Sequence, residues 1–150
     1  MQWIWFSFGD GARIREAYAL RRAVFVDEQG FTEEDDRDER DQDALHVLGI
    51  DETGAACCTA RLFSAGRGVW HAGRVAVCRE LRGRGVGRLL MRAVAQKALA
   101  LGGHTLELGA QLDKRGFYAA VGFEPVGEPF LDAGCPHILM QMPLGGRISG

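Results

Sequence analysis

The chain has 150 residues, 47% hydrophobic and 25% charged, the size and composition of one globular domain with room for its own core. Its net charge of −2 offers no global basic field for nucleic acid, and no apolar run is long enough to span a membrane. Four cysteines (Cys57, Cys58, Cys78 and Cys135) form no CxxC pair and no zinc spacing, so we expect reduced thiols, a cytoplasmic location and no metal.

The opening MQWIWFSF reads as a first strand that stops at Gly9-Asp10-Gly11. Ile14, Ala17, Tyr18, Leu20, Val24 and Phe25 then recur at helical spacing, and Gly30 closes that helix. Glu33 to Asp43 follows with eight acids against two arginines. We read this segment as a solvated loop, with a funnel for a cationic ligand as the sharper alternative. Leu45 to Ile50 and Ala55 to Phe63 form a hairpin around Asp51-Glu52-Thr53-Gly54. Val69 to Val77 is the next strand. A polar, glycine-rich stretch leads into a helix with Val86, Leu90, Ala93, Val94, Ala98 and Leu101 on its apolar stripe, ended by Gly102-Gly103. Thr105 to Leu108 reads as a strand, Lys114 to Val121 as a helix capped by Gly122, Pro136 to Met142 as the last strand, and 145–150 as a frayed tail. With no repeat and no linker, residues 1–150 are taken as one domain of mixed α/β class. A long helix joining two strands demands a parallel crossover, so the sheet is mixed, with helices on both faces.

The sharpest local feature is Arg82-Gly83-Arg84-Gly85-Val86-Gly87 at a strand-to-helix junction. A helix start leaves its first N–H groups unpaired and carries partial positive charge, so it suits a phosphate that glycines let approach closely. The segment lacks the lysine and hydroxyl of a P-loop, and its GxGxG spacing is not the dinucleotide GxGxxG. Arg82-x-x-Gly85-x-Gly87 does match the Arg/Gln-x-x-Gly-x-Gly/Ala coenzyme A loop of the GNAT N-acetyltransferases. A ligand-free βα turn remains the plain alternative for these six residues alone.

A second motif makes the match specific. Gln111, Tyr118 seven residues later, and Gly122-Phe123 in FYAAVGF are similar to the corresponding GNAT pattern. LRRAVFVDEQGF, GAQ and GCPHILM extend the resemblance over most of the chain, to the small ElaA-type branch. The resemblance implies a GNAT sheet splayed between its fourth and fifth strands, with acetyl-coenzyme A as co-substrate. The pantetheine arm is expected along the backbone of Val75, Ala76 and Val77. The pyrophosphate is expected on Arg82, Gly83, Arg84, Gly85, Val86, Gly87 and Arg88, with Gln111 touching the cofactor or fixing the final helix. Tyr118 is expected near the sulfur.

The activity implied is acetyl transfer to a small-molecule or peptide amine, a cationic one under the funnel reading, by direct attack in a ternary complex. An amine with a pKa near 10.4 must lose a proton before it attacks. The family's glutamate position falls on His71, six residues before Val77, and an unperturbed imidazole titrates near neutrality. Glu28 is the rival base; His46 and His137 are read as hydrogen-bonded structural residues, with a place lining the acceptor side as the alternative. The Tyr118 hydroxyl meets the departing thiolate by hydrogen bond or by proton donation, full transfer being uphill by roughly 2 kcal/mol between unperturbed groups. The alternative is a non-catalytic acyl-coenzyme A sensor that keeps the loop and lacks a base. A homodimer is left open.

Overall fold

Along Leu45–Ile50 successive apolar side chains point to opposite faces of a strand, and each face meets a different layer. Val47 joins Leu62, Leu90, Met91, Leu106 and Phe123 in one cluster, while Leu48 packs with Phe6, Ile14, Ala17 and Ile50 in another. The protein, a computed structural model in which residues 1–145 are described, thus has one mixed sheet between two helical layers.

Among the described residues the sheet comprises β1 (Gln2–Ser7), β2 (Leu45–Ile50), β3 (Ala56–Gly66), β4 (Val69–Val77), β5 (Thr105–Gln111), β6 (Glu124–Asp132) and β7 (Cys135–Pro143). Their spatial order is β1-β2-β3-β4-β5-β7-β6. Every neighbouring pair is antiparallel except β4 and β5, which are parallel and joined by helix α4 (Val86–Ala100). Val86, Leu90, Met91, Ala93, Val94 and Ala98 form the buried stripe of α4, the face expected from the 3.6-residue period. On the opposite side, α1 (Gly11–Arg21) starts where the Asp10 side chain accepts from the Arg13 amide and buries Ile14, Ala17 and Arg21. No helix among the described residues is long and apolar enough to cross a membrane.

The continuous first helix of the sequence reading changes character at its end. Residues Arg22–Glu28 are a π-helix, in which the Gln29 amide reaches back to the Val24 carbonyl at 3.1 Å. Such wide turns are uncommon and cluster at functional sites.

Two expectations need correction. The acidic segment is solvated at six of its eight acids, but it is not a loop and not wholly exposed. It forms α2 (Glu33–Asp36) and α3 (Arg40–Asp43), with Asp36 and Asp41 buried. Arg21, itself 1% exposed, grips both: Nε lies 3.1 Å from Asp36, and the two terminal nitrogens lie 2.9 and 3.0 Å from Asp41. Buried carboxylates survive because three arginines (Arg21, Arg61 and Arg74) neutralise them. β6 was also missed. Pro125, Gly127 and Pro129 argue against a strand, and they are tolerated because β6 is a sheet edge exposed along its whole length. The expected tail at 145–150 lies, apart from Gly145, outside the described residues.

Candidate active site

Strand β4 carries an irregularity against β3. Thr59 pairs with Ala76, but Arg61 pairs with Gly73, so Arg74 and Val75 together oppose Ala60. That is a β-bulge, which bends and twists its strand. On the other side, β4 and β5 pair only at Val69–Thr105, Trp70–Leu106 and His71–Glu107. Beyond His71 the two strands part, as the resemblance to a splayed GNAT sheet implied. The gap opens into a cavity of about 740 Å³, within the range of small-molecule sites.

One end of the cavity meets the glycine loop. Gly83 and Gly85 adopt φ of +77° and +81°, and a Cβ on either would touch nothing within 4 Å. Gly85 caps α4 without any side-chain partner. The first helical bond runs from the Leu89 amide to the Gly85 carbonyl, so the amides before it have no helical acceptor. Arg88 and Lys114 line this end; Lys114 lacked any motif to mark it.

Arg82 is tied down. Its Nε donates to the Val77 carbonyl at 3.1 Å and its Nη1 lies 2.7 Å from Glu28. Glu28 also faces Arg79 at 3.5 Å. The hydrogen bond from Arg82, with the nearby charges of Arg79 and Lys114, holds the Glu28 carboxyl below its ordinary range. Glu28 is therefore a weaker base than a free glutamate, and it pins the loop to the π-helix.

The other expected positions divide. Val75, Ala76, Val77, Gly83, Gly85, Gly87, Arg88, Gln111 and Tyr118 border the cavity, whereas Arg84 and Val86 do not. The Val86 side chain is 7% exposed and packs in the core, leaving only its backbone for a ligand. Gln111 donates to the Gln29 side chain at 2.8 Å, linking the end of β5 to the end of the π-helix.

His71 borders the cavity where the strands diverge. Its Nδ1 is 2.9 Å from Glu107 Oε2, and its ring stacks on Phe63 at 5.0 Å. An ionised carboxylate can only accept, so Nδ1 is the donor, and in the neutral ring Nε2 is then the nitrogen with the lone pair. Glu107 was not found from sequence, because its pairing with His71 depends on the register of two strands 36 residues apart. His137 has the same tautomer, its Nδ1 donating to the Cys135 carbonyl at 2.8 Å, and it also borders the cavity. His46 lies outside it, donating to the Asp41 carbonyl at 2.9 Å, and burial lowers its pKa.

Tyr118, on α5 (Arg115–Val121), meets Phe117 and Phe123 edge-on at 5.0 and 5.8 Å. Burial pushes its phenol up to about 12. A phenol so raised is a poorer acid than an unperturbed tyrosine, so complete proton transfer to a thiolate stays uphill. A hydrogen bond to a developing thiolate is what this phenol can supply. Among the described residues, no group of three or more His, Cys, Asp or Glu is arranged to hold a metal ion.

The profile of the Acetyltransferase (GNAT) domain matches residues 19–144. A UPF0039 protein of Synechocystis is 37% identical over 93% of this chain and 94% of its own length. The uncharacterized N-acetyltransferase YjcF of Bacillus subtilis is 31% identical over 86% of this chain and 91% of its own. The crystal structure of Escherichia coli ElaA superposes with a TM-score of 0.83 at 30% identity, covering 95% of this chain and 99% of that one.

Proposed function

The chain belongs to the GNAT acetyltransferase family, and on that premise we propose that it transfers an acetyl group from acetyl-coenzyme A to a primary amine by direct attack in a ternary complex. The observation that carries this reading is one continuous cavity. It is bordered at one end by unpaired helix-start amides with Arg88, and along its length by the splayed β4 edge, His71 and Tyr118.

The loop fits the diphosphate of coenzyme A. Open space beside Gly83 and Gly85 lets oxygens reach the amides at the start of α4, and Arg88 and Lys114 add charge. Acetyl-coenzyme A supplies the thioester that makes the acetyl group reactive. The protein's own groups do the rest. Backbone of Val75 to Val77 lies free of β5 and can pair with the amides of an extended ligand. His71 Nε2 accepts the amine proton directly or through one water, while Glu107 fixes the ring and stabilises its charged form. The Tyr118 hydroxyl, held protonated, donates to the leaving sulfur. Holding both reactants in one cleft removes the entropy cost of their encounter and needs no covalent nucleophile. Four free thiols (Cys57, Cys58, Cys78 and Cys135) suit the reducing cytoplasm proposed for the protein.

The test is a calorimetric titration of acetyl-coenzyme A, with ATP and NAD as controls, on wild type and on Gly85→Glu, each checked for folding by circular dichroism. We expect wild type to bind acetyl-coenzyme A alone and Gly85→Glu to lose that binding. A panel of amines should then release free thiol in an acceptor-dependent way. A folded wild type that ignores acetyl-coenzyme A overturns the reading. Binding without acceptor-dependent release would favour a sensor instead.

A further inference from the structure

Three non-glycine residues of the described chain have positive φ: Arg67 at 57°, Arg74 at 49° and Ala133 at 51°. Arg67 precedes Gly68 and Ala133 precedes Gly134, each pair joining two antiparallel strands. Two-residue hairpin turns require such angles. Arg74 is different. It lies inside β4, at the bulge, three residues beyond His71, the last residue of β4 that pairs with β5. A residue with a Cβ adopts that conformation at a cost, and does so only where its surroundings over-determine it.

The surroundings are the acidic segment. Arg74 Nε donates to the Asp36 carbonyl at 2.7 Å, and Nη2 reaches the Asp35 carbonyl at 3.2 Å and Asp38 Oδ2 at 3.0 Å. Asp38 and Asp36 are themselves held by Arg61 and Arg21. The guanidinium thus runs from the strained backbone into a fixed frame of helix-end carbonyls and carboxylates. Arg74, Asp35 and Asp36 all border the cavity.

We propose that Arg74 is a positioning residue: gripped by the acidic segment, it holds the β4 bulge in its positive-φ form and so keeps β4 and β5 apart over the cofactor-binding stretch. The inference rests on the acetyl-coenzyme A reading above for its ligand. It assigns the acidic segment a role in shaping the cleft rather than in attracting the acceptor. Without the grip, a side-chain-bearing residue at 74 relaxes to negative φ. The extra residue then redistributes along β4, and the edge at Val75 to Val77 loses its shape. Glycine has no preference between the two signs of φ, so it can keep the bulge without any grip.

That difference is the test. Arg74→Ala and Arg74→Gly remove the same guanidinium and both should lower the melting temperature. Acetyl-coenzyme A binding, measured by calorimetry on each folded protein, should separate them. We expect the dissociation constant of Arg74→Ala to rise about tenfold or more, and that of Arg74→Gly to stay within about threefold of wild type, a contrast of at least roughly 0.7 kcal/mol. Amide hydrogen exchange without ligand should show Val75 to Val77 altered in Arg74→Ala and near wild type in Arg74→Gly. Equal binding by the two variants, whether intact or lost, overturns the inference. A wild type that binds no acetyl-coenzyme A instead overturns the family-based reading, and the exchange comparison then decides the inference by itself.

Discussion

His71 and Glu28 were the two candidate bases, and their neighbours separate them. Glu28 faces two arginines that hold it ionised and reluctant to take a proton. His71 has a carboxylate on Nδ1, which leaves Nε2 as the acceptor of its neutral ring, at the border of the cavity. His71→Gln should therefore lower kcat by about 10²- to 10⁴-fold while leaving the dissociation constant for acetyl-coenzyme A close to wild type. Glu107→Gln should cost less, because it leaves the imidazole present without its orienting carboxylate. Steady-state kinetics with calorimetry check both, and a His71→Gln enzyme with unchanged kcat rules the base out. His71 was legible only through the family resemblance, which puts a glutamate base six residues before Val77. Glu107 was not, since nothing local marks which residue of β5 will face it.

At the scale of elements, the start of α4 is set by two neighbouring layers. A Cβ on Gly87 would lie 3.1 Å from Phe117 Cζ and 3.3 Å from Cε1. Glycine there lets α5 approach the loop and bring Tyr118 over the cavity. In Gly87→Ala the better helix propensity, worth about 1 kcal/mol, offsets the crowding, so stability should change by less than about 1 kcal/mol. The displaced α5 should nevertheless weaken acetyl-coenzyme A binding about tenfold, or 1.4 kcal/mol. Urea melts and calorimetry read the two effects separately; unchanged binding would show that Phe117 swings aside without moving Tyr118. Helix α4 and the Val69–Val77 strand announced themselves by period and by flanking glycines. β6 did not, because an exposed edge need carry no apolar alternation and accommodates Pro125 and Pro129.

Across the whole molecule, buried charge ties α1, the acidic segment and the sheet into one ionic frame. Burial raises the Asp41 and Asp38 pKa values, but Arg21 and Arg61 at Asp41, and Arg61 and Arg74 at Asp38, overcome this and hold both carboxyls below their ordinary range. Their stabilisation is complete above the unfolded carboxylate pKa of about 4 and is lost as the pH falls below it. His46 acts earlier. Burial lowers its pKa, so the unfolded state binds a proton from about pH 6.5 downward while the folded state resists. Stability should therefore fall as the pH drops below 6.5, by at most about 1.4 kcal/mol per pH unit. His46→Gln, which can still donate to the Asp41 carbonyl, should flatten that first decline and spare the one below pH 4. Urea denaturation between pH 7.5 and 3.5 checks both limbs; an unchanged slope near pH 6 in the variant excludes His46 as its source.

The sequence by itself determined the family, the mixed α/β architecture and the loop from Arg82 to Gly87, because these depend on local spacing: turn glycines, helical and strand periods, and a motif within six residues. It also placed Gln111 and Tyr118 through a fixed seven-residue interval. Only the tertiary structure decided which charges are neutralised and which are exposed. The eight acids of residues 33–43 read as one solvated run until Arg21, Arg61 and Arg74, from a helix and two strands, were brought against three of them, Asp36, Asp38 and Asp41. The bulge at Arg74, the carboxylate behind His71 and the raised pKa of Tyr118 arise in the same way. Each depends on what lies across a strand pair or over a ring, and that is a property of packing rather than of neighbours in the chain.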